Sequence, residues 1–547
     1  RKEFAFVDLD GNRYVALGTD KFLLVYFEGQ LFDITPLKAD ITGATLSTNS
    51  TTTVTITTSA AHGISVGDIV LFDSVTLPGG TGFSASDFED KKFQVITVPT
   101  PTTFTITMGS AASGTVATGG SITLKPYEPV GPAAQNYGYG FGIGNYGGTI
   151  TGVGTTTVNN SGVIAAGASS FVVTDSSVLP ATGTLLINSE LMTYSGNNTS
   201  TNTISGVTRA QGGTADVEHA NGSTVTNATD FTGFGEAVTA SAVTLEPGLW
   251  SLNSFGEVLV ATILNGKTFT WDAGVASPTS NRASTSTSGF ETTNNPTATR
   301  TTLISPTTRH LIHFGTEVTI GTPTTQDDMF IRFSADESIN QYTIEATNTA
   351  GSQRLQDGTR IMGALVAKEN ILVWTDNALY TMKFVGAPFT FGFEQVGTNC
   401  GCIGPHAAVY ADGKVFWMGQ SGGFFVFDGT VKLLPSLIED FVFTTTGNNV
   451  GVNYSSNEIV FASHNSLFNE IIWFYPAGTT ASGPSTQNDR TAVYNYVENT
   501  WAPMTLARST YADASTYPVP YATEYSATGT PTFPTLQGAT DTFGATT

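Results

Sequence analysis

One segment of the sequence matches the nucleophile motif of serine hydrolases. Gly419, Ser421 and Gly423 form the pattern G-x-S-x-G. In those enzymes the serine lies on a strained turn between a strand and a helix, with a histidine and an acid nearby. Here strand-like residues lie on both sides of the motif, and a β-hairpin requires glycine in such a turn. We therefore predict that Ser421 lies in a hairpin turn and is not a nucleophile.

A second motif has the glycine spacing of a dinucleotide-binding loop. Gly142, Gly144 and Gly147 form the pattern G-x-G-x-x-G. A dinucleotide site needs a strand before this loop, a helix after it and an acidic residue further along the chain. None of these is evident, and the neighbouring residues are rich in tyrosine. We predict a packed aromatic linker or a loop that contacts a partner.

Two segments contain residue types that can bind metal ions. Asp8-Leu9-Asp10-Gly11-Asn12 resembles the beginning of a calcium loop, but the glutamate that closes an EF-hand loop is absent and no helices flank the segment. We predict a hairpin turn at Asp10-Gly11 instead. His310 and His313 lie on an apolar strand, where a spacing of three residues puts their side chains on opposite faces. The sequence therefore predicts no metal site.

The only two cysteines, Cys400 and Cys402, are separated by one glycine. A disulfide across so short a loop would be strained, so we predict two free thiols in a reducing compartment. Together, these motifs supply no catalytic, cofactor-binding or metal-binding residues. We predict that the protein is not an enzyme.

The composition favours β-strands over helices. Charged residues make up 12% of the 547 residues, about half of the usual share of roughly 25%. Threonine, serine, glycine and asparagine take their place. A chain rich in threonine, glycine and aromatic residues suits strands that are joined by tight turns, whereas long helices carry many Glu, Lys, Arg and Ala residues. We predict an all-β protein with several domains.

The net charge of −22 limits the possible partners. Tight binding to nucleic acid or to anionic membranes requires clustered Lys and Arg residues, and the sequence has no such cluster. A negative surface still suits a conduit for DNA, because like charges do not adhere. No apolar run approaches the ~20 residues of a membrane span, so no membrane insertion is expected. The chain begins at Arg1 without a methionine or a signal peptide, and we expect that residues before Arg1 are missing.

A hairpin unit recurs along the chain. Phe22–Gly29 and Phe424–Gly429 are both aromatic strands that end in an acid-glycine turn, and each is followed by a short strand and a proline. Acid-glycine between apolar strands is a strong hairpin signal. Trp374 and Trp417 are 43 residues apart, which fits the period of ~40–50 residues of a four-stranded propeller blade. We predict a β-propeller of five or six antiparallel blades, since radial stacking buries both faces of such sheets.

Segments of different composition interrupt these repeats. We predict that two small β-barrel or sandwich modules are inserted after the first blade. The first module contains Thr53–Thr57, whose strict alternation marks a half-buried strand. The predicted boundaries are 1–38 for the first blade, 39–126 for the first module, 127–161 for a Gly/Tyr-rich linker, 162–230 for the second module, 231–514 for the remaining blades with a Ser/Thr-rich loop at 276–306, and 515–547 for an extended tail.

Several segments resemble parts of bacteriophage tail proteins. Tyr14–Pro36 is similar to a blade hairpin of those proteins, and His62–Val70 is similar to the small β modules inserted in them. Ile187–Tyr194, Gly206–Arg209 and His219–Gly222 also resemble such a module. Together with the blade repeats, most of the chain resembles the tail nozzle of short-tailed, podovirus-like bacteriophages.

The resemblance implies a structural role in the virion. Nozzle proteins form a six-fold ring below the portal and adaptor rings, extend the DNA-ejection channel, hold a plug or needle, and carry fibres or spikes. The expected partners are therefore further copies of the chain in a hexameric ring, adaptor and portal-side proteins, tail fibres or spikes, the plug or needle, and viral DNA in transit. Assembly is expected in the host bacterial cytoplasm. The family role includes no catalytic residues and no cofactor.

Two other functions remain open from the sequence. A secreted propeller that binds or cleaves glycans would need aromatic residues and carboxylates clustered at the propeller axis. Another virion component, such as an adaptor or a fibre-base protein, would share the inserted modules but form a ring with a different number of subunits.

Overall fold

A computed structural model divides the chain into two compact units. One unit consists of Arg1–Ala133 with Glu246–Thr547, and the other of Ala134–Leu245. The residues that the structure describes are 1–131, 133–135, 149–150, 154–229, 231–232, 244–274, 281–285, 294–368, 370–444, 451–478, 484–523 and 536–538. Their regular structure is almost entirely β-strand, so the all-β prediction is confirmed.

The first sheet is a succession of antiparallel hairpins. Its strands are β1 (Lys2–Val7), β2 (Arg13–Gly18), β3 (Leu23–Phe27) and β4 (Gln30–Asp33). The predicted acid-glycine turn joins β3 to β4, and Gly29 has a φ of +83°. Glycine accepts this left-handed conformation without steric cost. The predicted hairpin at this position is therefore confirmed.

The first inserted module is one curled sheet of seven strands. Its strands are β5 (Ile41–Asn49), β6 (Thr53–Thr57), β7 (Ile69–Thr76), β8 (Lys91–Gln94), β9 (Thr97–Thr100), β10 (Thr103–Thr107) and β11 (Thr115–Pro126). Their order in the sheet is β8-β7-β11-β5-β6-β10-β9. A 3₁₀ helix at Ala85–Asp87 lies between β7 and β8. Alternate residues such as Phe72 and Phe104 point into a core that also contains Phe88. These strands lie within the predicted segment 39–126.

The second unit contains shorter strands. They are β12 (Ala133–Gln135), β13 (Thr149–Ile150), β14 (Thr155–Thr157), β15 (Ser170–Val172), β16 (Gly183–Ile187), β17 (Glu190–Tyr194), β18 (Gly196–Asn198), β19 (Thr203–Ser205), β20 (Thr208–Gln211), β21 (Thr224–Asn227), β22 (Phe231–Thr232) and β23 (Thr244–Glu246), where β12 and β23 lie at its ends. The main sheet has the order β14-β21-β16-β17-β20, and a second sheet has the order β15-β19-β18. Two further pairs are β12 with β23 and β13 with β22.

The remaining strands form six further sheets. They are β24 (Trp250–Phe255), β25 (Val258–Ile263) and β26 (Thr268–Asp272); β27 (Thr299–Ile304), β28 (Leu311–Thr316), β29 (Phe330–Phe333) and β30 (Gly351–Arg354); β31 (Ile361–Ala367), β32 (Asn370–Thr375), β33 (Leu379–Gly386) and β34 (Thr390–Gly397); β35 (Ala408–Ala411), β36 (Lys414–Met418), β37 (Phe424–Phe427) and β38 (Val431–Leu434); β39 (Phe461–Asn465), β40 (Glu470–Tyr475), β41 (Arg490–Asn495) and β42 (Thr500–Met504); and β43 (Thr510–Ala512), β44 (Tyr521–Thr523) and β45 (Leu536–Gly538).

The described helices besides the one in the first module are short. They are α1 (Glu439–Phe443) and 3₁₀ helices at Pro323–Thr325 and Tyr454–Ile459. None of the helices in the described residues has the length and apolar character needed to cross a membrane.

The first strands of seven sheets, which we name the inner strands, form a closed ring. Each inner strand contacts the next, in the order β1, β24, β27, β31, β35, β39 and β43, and β43 contacts β1. Thr510 on β43 donates a hydrogen bond from Oγ1 to Glu3 Oε2 on β1 at 2.7 Å. The propeller prediction is confirmed, but the described residues form a ring of seven sheets, where five or six blades were predicted. Within the described residues, five sheets of the ring have four strands, and two sheets of three strands complete it.

Buried tryptophans occupy equivalent places in consecutive sheets. Trp374, Trp417 and Trp473 lie near the ends of β32, β36 and β40, the second strands of their sheets, and each is at most 1% exposed. The rings of Trp374 and Trp417 meet edge to face at 5.6 Å. The spacing of these two tryptophans in the sequence therefore reflects a structural repeat. In each repeat the indole ring packs between neighbouring sheets.

Three predicted boundaries are wrong. The Ser/Thr-rich loop 276–306 contains β27, whose threonines are buried and bond to hydroxyls on neighbouring strands, for example Thr302 Oγ1 to Thr262 Oγ1 on β25 at 3.0 Å. The tail 515–547 contains β44 and β45, which complete the last sheet. The linker 127–161 contains β14, which pairs with β21, and a buried Tyr127. In each case short polar strands lack the apolar periodicity on which the sequence interpretation depends.

Candidate functional site

Two polar contacts cross the middle of the ring at the N-terminal ends of the inner strands. His406, just before β35, places Nε2 3.1 Å from the carbonyl oxygen of Trp250 on β24. Arg300 on β27 donates from Nη2 to Glu458 Oε1 at 2.8 Å, and Glu458 precedes β39. In both cases the joined sheets are three positions apart in a ring of seven. Protein groups therefore fill the ring at this end.

The Arg300–Glu458 contact is part of a buried charge cluster. Arg360 Nη1 lies 3.1 Å from the same Glu458 oxygen, and Asp328 lies 3.9 Å from Arg300. Arg300 also donates from Nε to the carbonyl of Ile361 at 3.1 Å. Burial raises the pKa of Asp328, although the two arginines oppose this shift. Such a cluster fixes the relative positions of the three sheets that contribute to it, because a buried charge without its partner is costly.

Other titratable groups near the axis favour their neutral forms. Burial lowers the pKa of His406, and the nearby Lys2 lowers it further. Burial also raises the pKa of Glu3 to about 8, against the hydrogen bond from Thr510. Glu3 Oε1 is buried and has no hydrogen-bond partner among the described residues. Burial therefore favours the neutral forms of both His406 and Glu3.

A second polar cluster joins the first sheet of the ring to the first inserted module. Asp33, at the end of β4, accepts hydrogen bonds from Lys92 Nζ at 2.5 Å and from Tyr127 Oη at 2.6 Å. Arg282 Nη1 lies 3.1 Å from the other oxygen of Asp33, and its guanidinium packs over the ring of Tyr127 at 5.1 Å. Burial alone would raise the pKa of Asp33, but Arg282 and Lys92 lower it.

A cavity of about 740 Å³ lies beside this cluster. It is open to solvent and combines aromatic, acidic and basic side chains. Its lining consists of Phe22, Ile69, Phe83, Asp87, Asp90, Lys91, Lys92, Phe93, Met108, Gly109 and Ser110. The volume lies within the range of roughly 300–1,000 Å³ that is usual for small-molecule sites. This cavity is the candidate binding site of the first unit.

The second unit has a buried polar centre around Glu190. Arg209 donates from Nε and Nη2 to the two Glu190 oxygens at 2.7 Å each, and His219 Nε2 lies 2.8 Å from one of them. The backbone amides of Ala210 and Val217 donate to the same carboxylate at 3.1 Å each. Burial alone would raise the pKa of Glu190, but Arg209, the two amides and His219 lower it to about 2. The three segments that resemble a phage module thus meet at one fully satisfied carboxylate.

The serine-hydrolase pattern lies where the sequence places it. Ser421 is exposed in the turn between β36 and β37, where Gly419 N donates to Gly423 O at 2.9 Å. Gly422 and Gly423 have φ values of +97° and +81°, so this turn needs glycine for its backbone. The hairpin prediction for this motif is confirmed. The glycine motif at 142–147 lies outside the described residues.

The predicted metal-binding candidates have partners within the protein. Asp8 accepts hydrogen bonds from the Asn12 backbone amide and side chain at 2.8 Å each, in the hairpin between β1 and β2. His310 and His313 have separate partners, since His310 contacts Thr308 and Thr349 and His313 contacts Thr299 and Tyr342. No group of three or more metal-ligating side chains occurs in the described part of the chain.

The two cysteines are free thiols, as predicted, and both are buried. Burial raises the pKa of Cys400 to about 11 and that of Cys402 to about 12. Neither thiol therefore has the lowered pKa of a reactive cysteine.

Sequence reasoning missed the residues that cross the axis. Arg300 falls in the segment that was predicted to be a loop, and its partner Glu458 is 158 positions further along the chain. No spacing rule connects residues so far apart. An arginine in a threonine-rich segment was the one available sign, because a chain with few charges rarely buries an arginine without a partner.

Comparisons with known proteins add no family. No protein-family model and no curated protein matches the chain. Solved structures similar to it include BamB from Moraxella catarrhalis (13% identity, TM-score 0.28, 55% of this chain and 75% of that one), Hsv2p from Kluyveromyces lactis (11%, 0.29, 53% and 73%) and the β-propeller domain of Cps50 (Swd1) from Myceliophteria thermophila (8%, 0.28, 63% and 93%). Likenesses this weak carry no argument about function.

Proposed function

We propose that the protein is a structural component of a phage tail, a nozzle subunit that extends the DNA-ejection channel. The observation that carries the proposal is the insertion of both β modules into the single connection between β4 and β24, after the first sheet of the ring. This is the organisation that the sequence resemblance implies. The Asp33 cluster attaches the first module rigidly to that sheet, as a scaffold that presents surfaces to partners requires.

In this role the propeller forms part of a hexameric ring below the portal and adaptor. The DNA path lies between subunits, because protein groups fill the propeller axis itself at one end. The net charge of −22 keeps DNA from adhering to the channel wall. The inserted modules dock the adaptor, the fibres or spikes, or the plug.

An exposed apolar hairpin supplies a contact suitable for a neighbouring subunit. At the tip of β33 and β34, Phe384, Val385 and Phe389 are 47%, 56% and 77% exposed. Exposed apolar patches of this kind mark protein–protein interaction sites. We assign this hairpin tip to the subunit interface of the proposed ring.

Mass photometry and electron microscopy of the purified chain test the proposal. We expect particles of six times 57.3 kDa with a six-fold ring. Phe389→Ser should reduce the ring fraction strongly, whereas Phe468→Ser, which changes an aromatic residue of similar exposure on the β39–β40 loop, should leave it unchanged. A stable monomer at micromolar concentration would contradict the nozzle proposal and favour a secreted propeller. A ring of a different order would favour an adaptor or a fibre-base protein.

A further inference from the structure

The cavity between the first sheet of the ring and the first inserted module is lined by aromatic side chains from both. Phe22 lies on the ring side, and Phe83 and Phe93 lie on the module side. The rings of Phe83 and Phe93 both contact the buried Phe88, at 5.6 and 5.8 Å. Phe83 and Phe93 are half-buried themselves. Two aromatic side chains are therefore held in place with part of their surface open to the cavity.

The polar side chains at the rim differ in whether they already have hydrogen-bond or salt-bridge partners within the protein. Asp87 accepts hydrogen bonds from the backbone amide and the hydroxyl of Ser84, at 2.8 Å each, and Lys92 is paired with Asp33. Asp90 and Lys91 are exposed, and within the described residues their side chains make no hydrogen bond or salt bridge. The rim thus offers one carboxylate acceptor and one ammonium donor side by side, with no net charge.

We propose that this cavity binds a neutral oligosaccharide, with acetamido sugars preferred. The C–H face and the acetyl methyl group of such a sugar pack against the aromatic walls formed by Phe83 and Phe93. Its hydroxyl and amide N–H groups donate to Asp90, and its carbonyl accepts from Lys91. A neutral ligand matches the balanced charges of the rim. This inference does not rest on the ring proposed above, since every group that it uses belongs to one chain.

Titration calorimetry with the full chain and tri-N-acetylchitotriose tests the proposal, with cellotriose as the sugar that lacks the acetamido groups. We expect saturable binding of the first trisaccharide and weaker binding of the second. Asp90→Asn and Phe83→Ala should each raise the Kd about tenfold or more. Asp90 has a φ of +57°, a conformation that asparagine also accepts, so that variant keeps the backbone.

Matched controls separate loss of the site from loss of the fold. Asp10→Asn changes an exposed acid in the β1–β2 turn, and Phe468→Ala changes an exposed aromatic residue on the β39–β40 loop. Both should bind tri-N-acetylchitotriose like the unaltered chain. Absence of saturable binding, or equal Kd values for the cavity variants and the controls, would overturn the proposal. A second assay uses an apolar dye bound in the cavity. Displacement of the dye by an aromatic peptide, but by neither trisaccharide, would also overturn the proposal.

Discussion

Replacing Glu190 by glutamine removes the charge on which the polar centre of the second unit depends. The carboxylate accepts five hydrogen bonds, two of them from Arg209. Glutamine offers one acceptor oxygen and adds an amide that would face the Arg209 guanidinium. Removing one partner of a buried ion pair costs about 3–5 kcal/mol. The pKa leads to a similar figure, because a decrease from 4.5 to about 2 corresponds to roughly 3.4 kcal/mol at about 1.36 kcal/mol per unit.

Hydrogen-exchange mass spectrometry at pH 7 measures this loss locally, since the described part of the second unit contains no tryptophan to report on it. Amides in β16, β17 and β20 should exchange about two to three orders of magnitude faster in Glu190→Gln than in the unaltered chain. Glu218→Gln is the matched control, because Glu218 is exposed and lies one residue before His219. It should leave exchange unchanged.

The pH dependence supplies a second, independent check on Glu190. A carboxylate whose folded pKa is lowered stabilises the protein above its unfolded pKa of about 4.5 and loses this contribution as the pH falls toward 2. The difference in unfolding free energy between the unaltered chain and Glu190→Gln should therefore shrink over this range, as measured by scanning calorimetry. An exchange difference of less than threefold at pH 7, or a constant difference between pH 5 and pH 3, would refute the reasoning.

Three further predictions concern the ring. Burial lowers the pKa of His313 to about 3, so the unfolded chain takes up a proton at this residue below about 6.5 that the folded chain does not. His313 should therefore account for a loss of stability of about 1.4 kcal/mol per pH unit between pH 6 and 4. In urea unfolding, the slope of stability against pH should be smaller by this amount in His313→Gln, and an equal slope would contradict this. The thiols of Cys400 and Cys402 should not react with a thiol reagent at pH 8 in the folded protein, and both should react once guanidinium unfolds the chain. Labelling of either thiol in the folded protein would disprove their burial. Gly401→Ala places a Cβ against the backbone carbonyl of Asp376 and should lower the free energy of unfolding, measured in urea, by about 1–3 kcal/mol or more. Gly79→Ala is the control, because a Cβ at Gly79 has no atom within 4 Å, and it should leave the free energy of unfolding unchanged.

The parts of the fold that could be predicted have local causes. An acid-glycine turn needs a positive φ, and Gly29 and Gly429 both have one. The strands of the first module lie within the predicted segment 39–126, where apolar and polar side chains alternate around one core. Trp374 and Trp417 revealed the repeat because each fills the same place in its sheet.

The parts that could not be predicted depend on contacts between distant segments. β27 is a buried strand in which three of six residues are threonine. Their hydroxyls bond to Ser251, Thr262 and Thr316 on neighbouring strands. In the sequence, the same threonines are indistinguishable from those of an exposed loop. The cavity is likewise invisible in the sequence, because Phe22 and the residues that face it belong to different strands with no common motif.

The contact between β43 and β1 also determines when the ring can be completed during synthesis. Each of the other inner strands follows a neighbour in the ring that has already been translated, but β1 lacks one of its two neighbours until β43 is translated about 500 residues later. Throughout that interval the carboxylate of Glu3 lacks its Thr510 partner, and closure supplies that hydrogen bond. The last sheet therefore closes the ring. In a nascent chain that stalls before residue 510, the side of β1 that β43 would contact stays uncovered, and chaperones or other nascent copies can bind there.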